Sequence, residues 1–271
     1  MELNICMFFV TLCIMGMLDI WQETVPVRFG VIDRSNRLTL DAVFRFFQEA
    51  AISHAENLGV GRDAMAKTNQ VWILSRMSVL VERRPRYGEI ITVRSWPRGG
   101  EKLFALRDYD IRDANDNAAV RARSGWLIID IEKRRPLRPQ QVMDALPLNG
   151  GLDALPSGAA ALVERTNLLK TGECPARYTS VDYNGHVNNV RYIQWIQDSM
   201  DMELLEKADK MRMDINYLNE ILPGEVTGIW SAPAESGTDG PPPLCAMAFE
   251  GRKEESGQAA FRAELRLWQT P

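Results

Sequence analysis

One short stretch of the chain alternates side chains that can move protons and hold oxygen atoms. A carboxylate, a carboxamide and an imidazole stand at Asp182, Asn184 and His186, with Gly185 between the last two. Alternation places side chains on one side of an extended segment, and glycine permits a tight bend after it. His186 is one of only two histidines among 271 residues. The trio suits acid–base chemistry, and the simpler structural interpretation is a polar turn with an Asn cap.

The residues after this stretch change from strand-like to helical spacing. Val190, Ile193, Ile196 and Met200 follow the spacing of one helix face, which predicts a helix from about Val187. The free N–H groups at a helix N-terminus favour developing negative charge. The polar trio is therefore expected just ahead of a helix end that can stabilise an oxyanion.

Length and composition indicate an ordinary globular protein. At 271 residues, 45% apolar and 25% charged, the chain is long enough for about two domains with a real core. A formal net charge of −4 argues against nucleic-acid binding, which needs a basic surface. The cysteines lack metal-ligand or disulfide spacing, which indicates reduced thiols in a cytoplasmic protein and no metal site. They are Cys6, Cys13, Cys174 and Cys245.

Residues 1–24 include a nearly continuous apolar segment from Leu3 to Leu18. It is short for a membrane span and lacks the basic region and the cleavage site of a secretory signal. Two interpretations stay open: a start codon placed too far upstream, with Met15 or Met17 nearer the true start, or a packed or weakly membrane-associated tail. We expect no stable membrane insertion.

The rest of the chain predicts the same order of elements twice, a long helix followed by antiparallel strands, which is an α+β pattern. In the first half, the helix with one apolar face begins at Leu40 and ends before Gly59. Strands are expected at Val25–Val31, Val71–Glu82, Glu89–Trp96, Leu103–Arg112 and Ala118–Ile131. In the second half they are expected at Val163–Leu169 or Ala176–Val181, and again after Met211.

The two halves are copies of one unit. A shift of 149 positions places Asp33 on Asp182, and a shift of 136 places Glu89 on Glu225. A stretch rich in Gly, Pro and Ala separates them. The chain is therefore divided into the segment 1–24, a first copy at 25–146, a linker at 147–162 and a second copy at 163–271.

The copies differ where side chains could do chemistry. Three such side chains exist in the second copy only, and a purely structural turn has little reason for that asymmetry. The second copy is therefore predicted to hold the active site. The differing pairs are Asn184 and Ser35, His186 and Arg37, and Glu220 and Arg84.

The stretch that begins at Asp182 resembles the Asp-x-Asn-x-His-Val-Asn-Asn-x-x-Tyr signature of acyl-[acyl carrier protein] thioesterases, the plant chain-terminating enzymes and their bacterial relatives. Ser95-Trp96-Pro97 and Arg107-Asp108-Tyr109 in the first half are also similar to the family, so the resemblance runs from Val25 to about Trp268. It implies a tandem double hotdog fold, in which each copy wraps an antiparallel β-sheet around one long central helix.

The resemblance also implies an activity and its residues. The reaction is hydrolysis of fatty acyl-[acyl carrier protein], which releases the fatty acid and ends chain elongation without a cofactor. Asp182, Asn184 and His186 match the family's catalytic positions, and Glu220 matches its catalytic glutamate. The next residue is Cys in plant members and Ile221 here, which disfavours a thiol nucleophile. We expect a carboxylate-assisted attack of water, with either Asp182 or Glu220 as the base.

Two further surfaces follow from the same resemblance. The first copy is expected to hold the acyl chain, although each candidate is equally suited to ordinary core packing; they are Phe44, Phe47, Trp72 and Leu74. An acidic carrier protein requires a basic docking surface, although a solvated charge run explains the candidates equally well. Those candidates are Lys133, Arg134, Arg135 and Arg138.

Other functions of a hotdog protein stay open at this point. An acyl-CoA thioesterase would use the same chemistry on a different carrier. A hotdog hydratase or dehydratase would also use His with a carboxylate, but with motifs other than His-Val-Asn-Asn. A non-catalytic acyl-thioester-binding protein would bind acyl chains without turning them over. The sequence also leaves open the preferred acyl chain and whether the protein is a monomer or a homodimer.

Overall fold

The computed structural model describes residues 19–147, 149–158, 160–235 and 241–269. The apolar segment Leu3–Leu18, with Cys6 and Cys13, lies outside these residues, so the expectations about it stay predictions. In the described ranges, no helix is long and apolar enough to cross a membrane.

Each copy of the duplicated unit contributes a central helix, α1 or α4, and strands of one antiparallel sheet. The first copy contains β1 (Trp21–Pro26), α1 (Leu40–Asn57), α2 (Arg62–Lys67), β2 (Gln70–Val81), β3 (Ile90–Glu101), β4 (Phe104–Arg112), β5 (Ala118–Asp130), β6 (Arg135–Leu137) and α3 (Gln140–Met143). The second contains β7 (Leu169–Pro175), α4 (Asn189–Asp198), α5 (Met202–Lys207), β8 (Lys210–Tyr217), β9 (Val226–Pro233), β10 (Cys245–Lys253) and β11 (Ala259–Trp268).

The sheet runs continuously through both copies. Its strand order is β1-β3-β4-β5-β2-β8-β11-β10-β9-β7, with β6 paired to β5. Each copy places its strands in the same order, and the copies meet where β2 pairs with β8, from Arg76 opposite Asn216 to Val81 opposite Met211. This architecture confirms the α+β prediction and the duplication.

The central helices share one hydrophobic core with the strands of both copies. Phe47 of α1 and Ile193 of α4 are buried in it. The helices also bond to each other, since Gln194 Nε2 donates to Asp41 Oδ2 at 2.8 Å and the Asp41 N–H donates to Gln197 Oε1 at 2.9 Å. Two side chains of α4 therefore provide hydrogen-bond partners for the carboxylate and the backbone N–H of Asp41 at the start of α1.

Two of the strand predictions were wrong, and both concern the edges of the sheet. The first strand, expected at Val25–Val31, is β1 at Trp21–Pro26 and so begins inside the predicted segment 1–24, whereas Phe29–Val31 form a 3₁₀ turn. β7 at Leu169–Pro175 lies between the two alternatives predicted for it. Nearly all of β7 is exposed, so it carries no alternation of buried and exposed side chains. Such a strand has no apolar pattern by which a sequence could reveal it.

The linker crosses the outer face of the sheet, opposite the helices. Asp153 accepts hydrogen bonds from Arg98 Nε at 2.8 Å and from Arg123 Nη2 at 2.6 Å. Further along, the Leu162 N–H donates to Asn216 Oδ1 at 2.8 Å. The linker is therefore bonded first to strands of the first copy and then to a strand of the second.

Candidate active site

The polar stretch of the second copy forms a tight loop in front of α4. The Asp182 N–H donates to the His186 carbonyl at 3.0 Å, and the Gly185 N–H donates to the Asp182 carbonyl at 3.0 Å. Gly185 has φ +86°, a conformation that favours glycine. Asp182 Oδ1 accepts from the Asn184 N–H at 2.8 Å, and its Oδ2 accepts from Asn188 Nδ2 at 3.4 Å. The Asp182 carboxylate therefore holds the loop together.

Glu220 reaches this loop from the segment that follows β8. The Val187 N–H donates to the Ile221 carbonyl at 2.8 Å, which fixes that segment against the loop. Tyr192 of α4 is buried, and this burial raises the pKa of its phenol well above its usual value. In this arrangement, His186 Nε2 lies 3.8 Å from Glu220 Oε2. A movement of less than about 1 Å would convert this contact into a hydrogen bond.

The pair is open to solvent. The side chains of His186 and Glu220 are 37% and 64% exposed, and Asn184 is exposed as well. A groove of about 550 Å³ lies beside the loop. Its walls combine apolar and aromatic side chains with one carboxylate, namely Tyr178, Thr179, Val181, Asp182, Tyr183 and Pro223. The exposure of His186 and Glu220 lets a substrate reach the pair without movement of the core, whereas Asp182 is the only one of the four candidate residues that lines the groove.

The first copy builds the same loop and then closes it with an ion pair. The Asp33 N–H donates to the Arg37 carbonyl at 2.9 Å, as Asp182 does to His186. Where the second copy has Glu220, Arg84 is buried and forms an ion pair with Asp33. Burial alone would raise the pKa of Asp33, but the hydrogen bond from Ser35 and the charge of Arg84 outweigh it and lower the pKa. The first copy thus holds no free carboxylate at this position.

This ion pair belongs to a set of contacts that the first copy makes with α5 of the second copy and with Asp209 just after it. Arg84 Nη1 donates to the Leu205 carbonyl at 3.2 Å. Arg37 Nη1 lies 2.7 Å from Asp209 Oδ1, and Arg34 Nη2 donates to Glu206 Oε2 at 2.8 Å. Arg37 and Arg84, which replace His186 and Glu220, therefore join the two copies.

Comparison with known proteins agrees with this architecture. The acyl-ACP thioesterase N-terminal domain profile matches residues 19–145, and the C-terminal domain profile matches residues 164–264. The chain belongs to the acyl-ACP thioesterase family. A chloroplastic palmitoyl-acyl carrier protein thioesterase of Arabidopsis thaliana is 26% identical over 234 residues, which cover 81% of this chain and 56% of the relative. The chain spans about half the length of the curated relatives it matches.

Solved structures of family members show the same fold. An acyl-ACP thioesterase from Bacteroides thetaiotaomicron superposes with a TM-score of 0.80 at 22% identity, covering 92% of this chain and 97% of that one. The 12:0-ACP thioesterase from Umbellularia californica superposes with a TM-score of 0.76 at 20% identity, again covering 92% of this chain and 97% of that one. The predicted tandem double hotdog is therefore confirmed.

The structure brings together the four residues predicted to be catalytic, but they make different contacts. His186 and Glu220 face each other, Asp182 bonds within the loop, and the exposed Asn184 donates its backbone N–H to Asp182. Tyr183 and Tyr192 were not singled out from the sequence, although both lie inside the family signature. In the described part of the chain, no group of three or more His, Cys, Asp or Glu side chains could hold a metal ion.

The four residues expected to line an acyl-chain pocket do not share one site. Phe44 and Phe47 are buried in the main core. Trp72 packs in a separate small cluster and donates its indole N–H to the Val60 carbonyl at 2.9 Å, while Leu74 is half-buried. None of the four lines the groove beside the loop. Their role in holding an acyl chain stays a prediction.

The second histidine occupies a buried polar cluster away from the loop. His54 is fully buried in α1, and its Nδ1 lies 3.1 Å from Arg107 Nη1. The same Arg107 nitrogen donates to Ser95 Oγ at 3.0 Å. These contacts agree with a packing role for His54.

Proposed function

We propose that this chain hydrolyses the thioester of fatty acyl-[acyl carrier protein], releasing free fatty acid and ending chain elongation. The observation that carries the proposal is the approach of His186 to Glu220, whose exposed side chains lie 3.8 Å apart at a loop that also borders a groove through Asp182 and Tyr183. Membership of the acyl-ACP thioesterase family supports the same reaction. We propose a cytoplasmic location from the scattered cysteines, whereas the named plant relatives are chloroplastic.

Water is the nucleophile in this mechanism. Glu220 takes a proton from a water molecule as the oxygen attacks the thioester carbonyl carbon, and His186 holds Glu220 and the water in position. The carbonyl oxygen becomes an oxyanion near the N-terminus of α4, which begins three residues after His186 and whose dipole favours negative charge, although the Val190 N–H there already donates to Asn188 Oδ1. When this intermediate collapses, the carbon–sulfur bond breaks. The sulfur leaves as a thiol with the proton that Glu220 received.

The two remaining residues have supporting roles. Both oxygens of Asp182 accept hydrogen bonds within the loop, and Asp33 Oδ1 accepts the equivalent bond from the Ser35 N–H in a copy that has Arg at the positions of His186 and Glu220. This favours Glu220 as the base and Asp182 as the residue that shapes the loop. Asn184 presents its carboxamide at the exposed edge of the loop, where it can orient the thioester.

A hydrolysis screen tests the proposal directly. Acyl-[acyl carrier protein] and acyl-CoA thioesters of graded chain length should be hydrolysed, with the carrier-protein substrates preferred in kcat/KM. Preference for coenzyme A would make the protein an acyl-CoA thioesterase. Hydration of an enoyl thioester without hydrolysis would replace the proposal with a hydratase. Binding of acyl chains without turnover would indicate a carrier.

The basic docking surface is the first measurable consequence. Lys133, Arg134, Arg135 and Arg138 are exposed, the first three in or beside the turn between β5 and β6. Changing all four to Glu should raise KM for the acidic carrier-protein substrate by about tenfold or more, because opposite surface charges guide association. Small acyl thioesters should show unchanged kinetics. Equal effects on both substrates would remove the docking assignment.

Cysteine replacement separates water from a thiol as nucleophile. Burial raises the pKa of Cys174 to about 11 and also raises that of Cys245, so neither is a ready thiolate. A variant with all four cysteines changed to Ala or Ser should keep most of kcat at neutral pH. Mass spectrometry of the enzyme during turnover should find no acyl group on Cys174 or Cys245. An acylated cysteine that forms and decays at the turnover rate would contradict the mechanism.

A further inference from the structure

A cation from the first copy lies against the catalytic loop of the second. Arg62 is the first residue of α2, and its guanidinium carbon lies 4.4 Å from the centre of the Tyr183 ring. Tyr183 stands between Asp182 and Asn184, is 63% exposed and lines the groove. α2 therefore approaches the groove at Tyr183, through the side chain of Arg62.

The charge of this arginine is available to a ligand. The Arg62 backbone N–H donates to Glu56 Oε1 at 3.0 Å, but its guanidinium forms no ion pair with any described residue. A guanidinium held over an aromatic ring keeps N–H groups that can still donate to an anion. Arg62 is also exposed, so an anion can approach it from solvent.

The equivalent place in the first copy shows the opposite arrangement. Arg34 occupies the position of Tyr183 after the shift of 149 residues, and it forms an ion pair with Glu206 of α5. Each loop is thus met by the short helix that follows the other copy's central helix. In the first copy a carboxylate neutralises the cation. Beside the predicted catalytic loop, the cation rests on an uncharged ring.

We propose that Arg62 binds the phosphate of the pantetheine arm of the substrate. This inference rests on the proposed thioester hydrolysis, because such substrates end in a thioester on an uncharged amide arm with a phosphate at its far end. The largely apolar groove suits the arm, and Arg62 supplies a planar donor for two phosphate oxygens. Acyl carrier protein and coenzyme A both carry this phosphate, so the assignment covers the shared group.

Substrates with and without the phosphate test the assignment. Arg62→Gln should raise KM for acyl-[acyl carrier protein] and for acyl-CoA by about tenfold, the scale of one charge-assisted contact, with kcat within about twofold. Hydrolysis of acyl-pantetheine, which lacks the phosphate, should respond less than about twofold. The KM of Arg62→Lys should lie between those of wild type and Arg62→Gln, since lysine keeps the positive charge but lacks the paired donors of a guanidinium. Lys67→Gln, the matched loss of charge at the other end of α2, should behave as wild type.

Each other outcome overturns the assignment. An equal rise in KM for acyl-pantetheine would make Arg62 a support of the loop only. A defect confined to the carrier protein would indicate contact with the protein surface, and one confined to coenzyme A would indicate its nucleotide. If wild type hydrolyses no thioester, the proposed function fails separately. Calorimetric binding of 4′-phosphopantetheine and of pantetheine to wild type and Arg62→Gln then still tests the phosphate contact: equal affinities for the two ligands would refute it.

Discussion

Glu220→Gln should lower kcat by at least about a hundredfold while leaving the fold intact. Glutamine keeps the shape of the side chain but accepts no proton from water, and a positioned acid–base group contributes about a hundredfold or more. Because the Glu220 side chain is 64% exposed, the change should cost little stability. Steady-state kinetics on a carrier-bound thioester, with circular dichroism of each variant, makes the measurement. His186→Ala should show a loss of the same scale.

The control for this loss is the other carboxylate of the same segment. Glu225 bonds to Lys253 Nζ at 3.1 Å and accepts from the Leu222 N–H at 2.7 Å, so it shapes the segment without facing His186. Glu225→Gln should keep kcat within a few fold. Undiminished activity of Glu220→Gln would refute Glu220 as the base. If Asp182→Asn alone abolished turnover in a folded protein, the base would be Asp182 instead.

Arg84→Met should lower the free energy of unfolding by about 2 kcal/mol, because it removes the ion-pair partner of Asp33, whose side chain is only 21% exposed. The Arg84 side chain is 4% exposed, and it also donates to the Leu38 carbonyl at 3.0 Å and to the Leu205 carbonyl of the second copy. Urea denaturation of the variant measures the change. The remaining folded protein should retain its kcat, since Arg84 lies in the copy without the His–Glu pair.

The neighbouring arginine provides a matched control. The Arg83 side chain is 43% exposed and pairs with Glu89 at 2.8 Å, so Arg83→Met should cost less than about 1 kcal/mol. Equal losses for the two variants would show that the Asp33–Arg84 pair contributes no more to stability than the exposed Arg83–Glu89 pair.

Acid denaturation gives a second measurement of the Asp33–Arg84 pair. The lowered pKa of Asp33 contributes stability above the unfolded carboxyl pKa of about 4, and that contribution is lost as pH falls through the lower folded value. The stability difference between wild type and Asp33→Asn should therefore shrink below about pH 4.

Local patterns in the sequence predicted the elements whose side chains alternate between a buried and an exposed face. The apolar stripe of α1 and the strands β2 to β5 follow from such spacing, because burial of one face imposes a period on the chain. The duplication and the loop at Asp182–His186 were also readable, since residue types at corresponding positions reveal them. The edge strand β7 was not, because a strand exposed on both faces has no period to detect.

The tertiary structure alone determined the contacts between residues that are distant along the chain. The sequence placed Glu220 among the candidates, but only the folded structure, in which the Val187 N–H donates to the Ile221 carbonyl, brings Glu220 Oε2 to 3.8 Å from His186 Nε2. The ion pair of Arg84 with Asp33 and the stacking of Arg62 on Tyr183 likewise depend on how loops and helices of the two copies meet. Such contacts arise from the pairing of β2 with β8 and the shared core, which bring distant segments together. No periodicity within one segment records where another segment will lie.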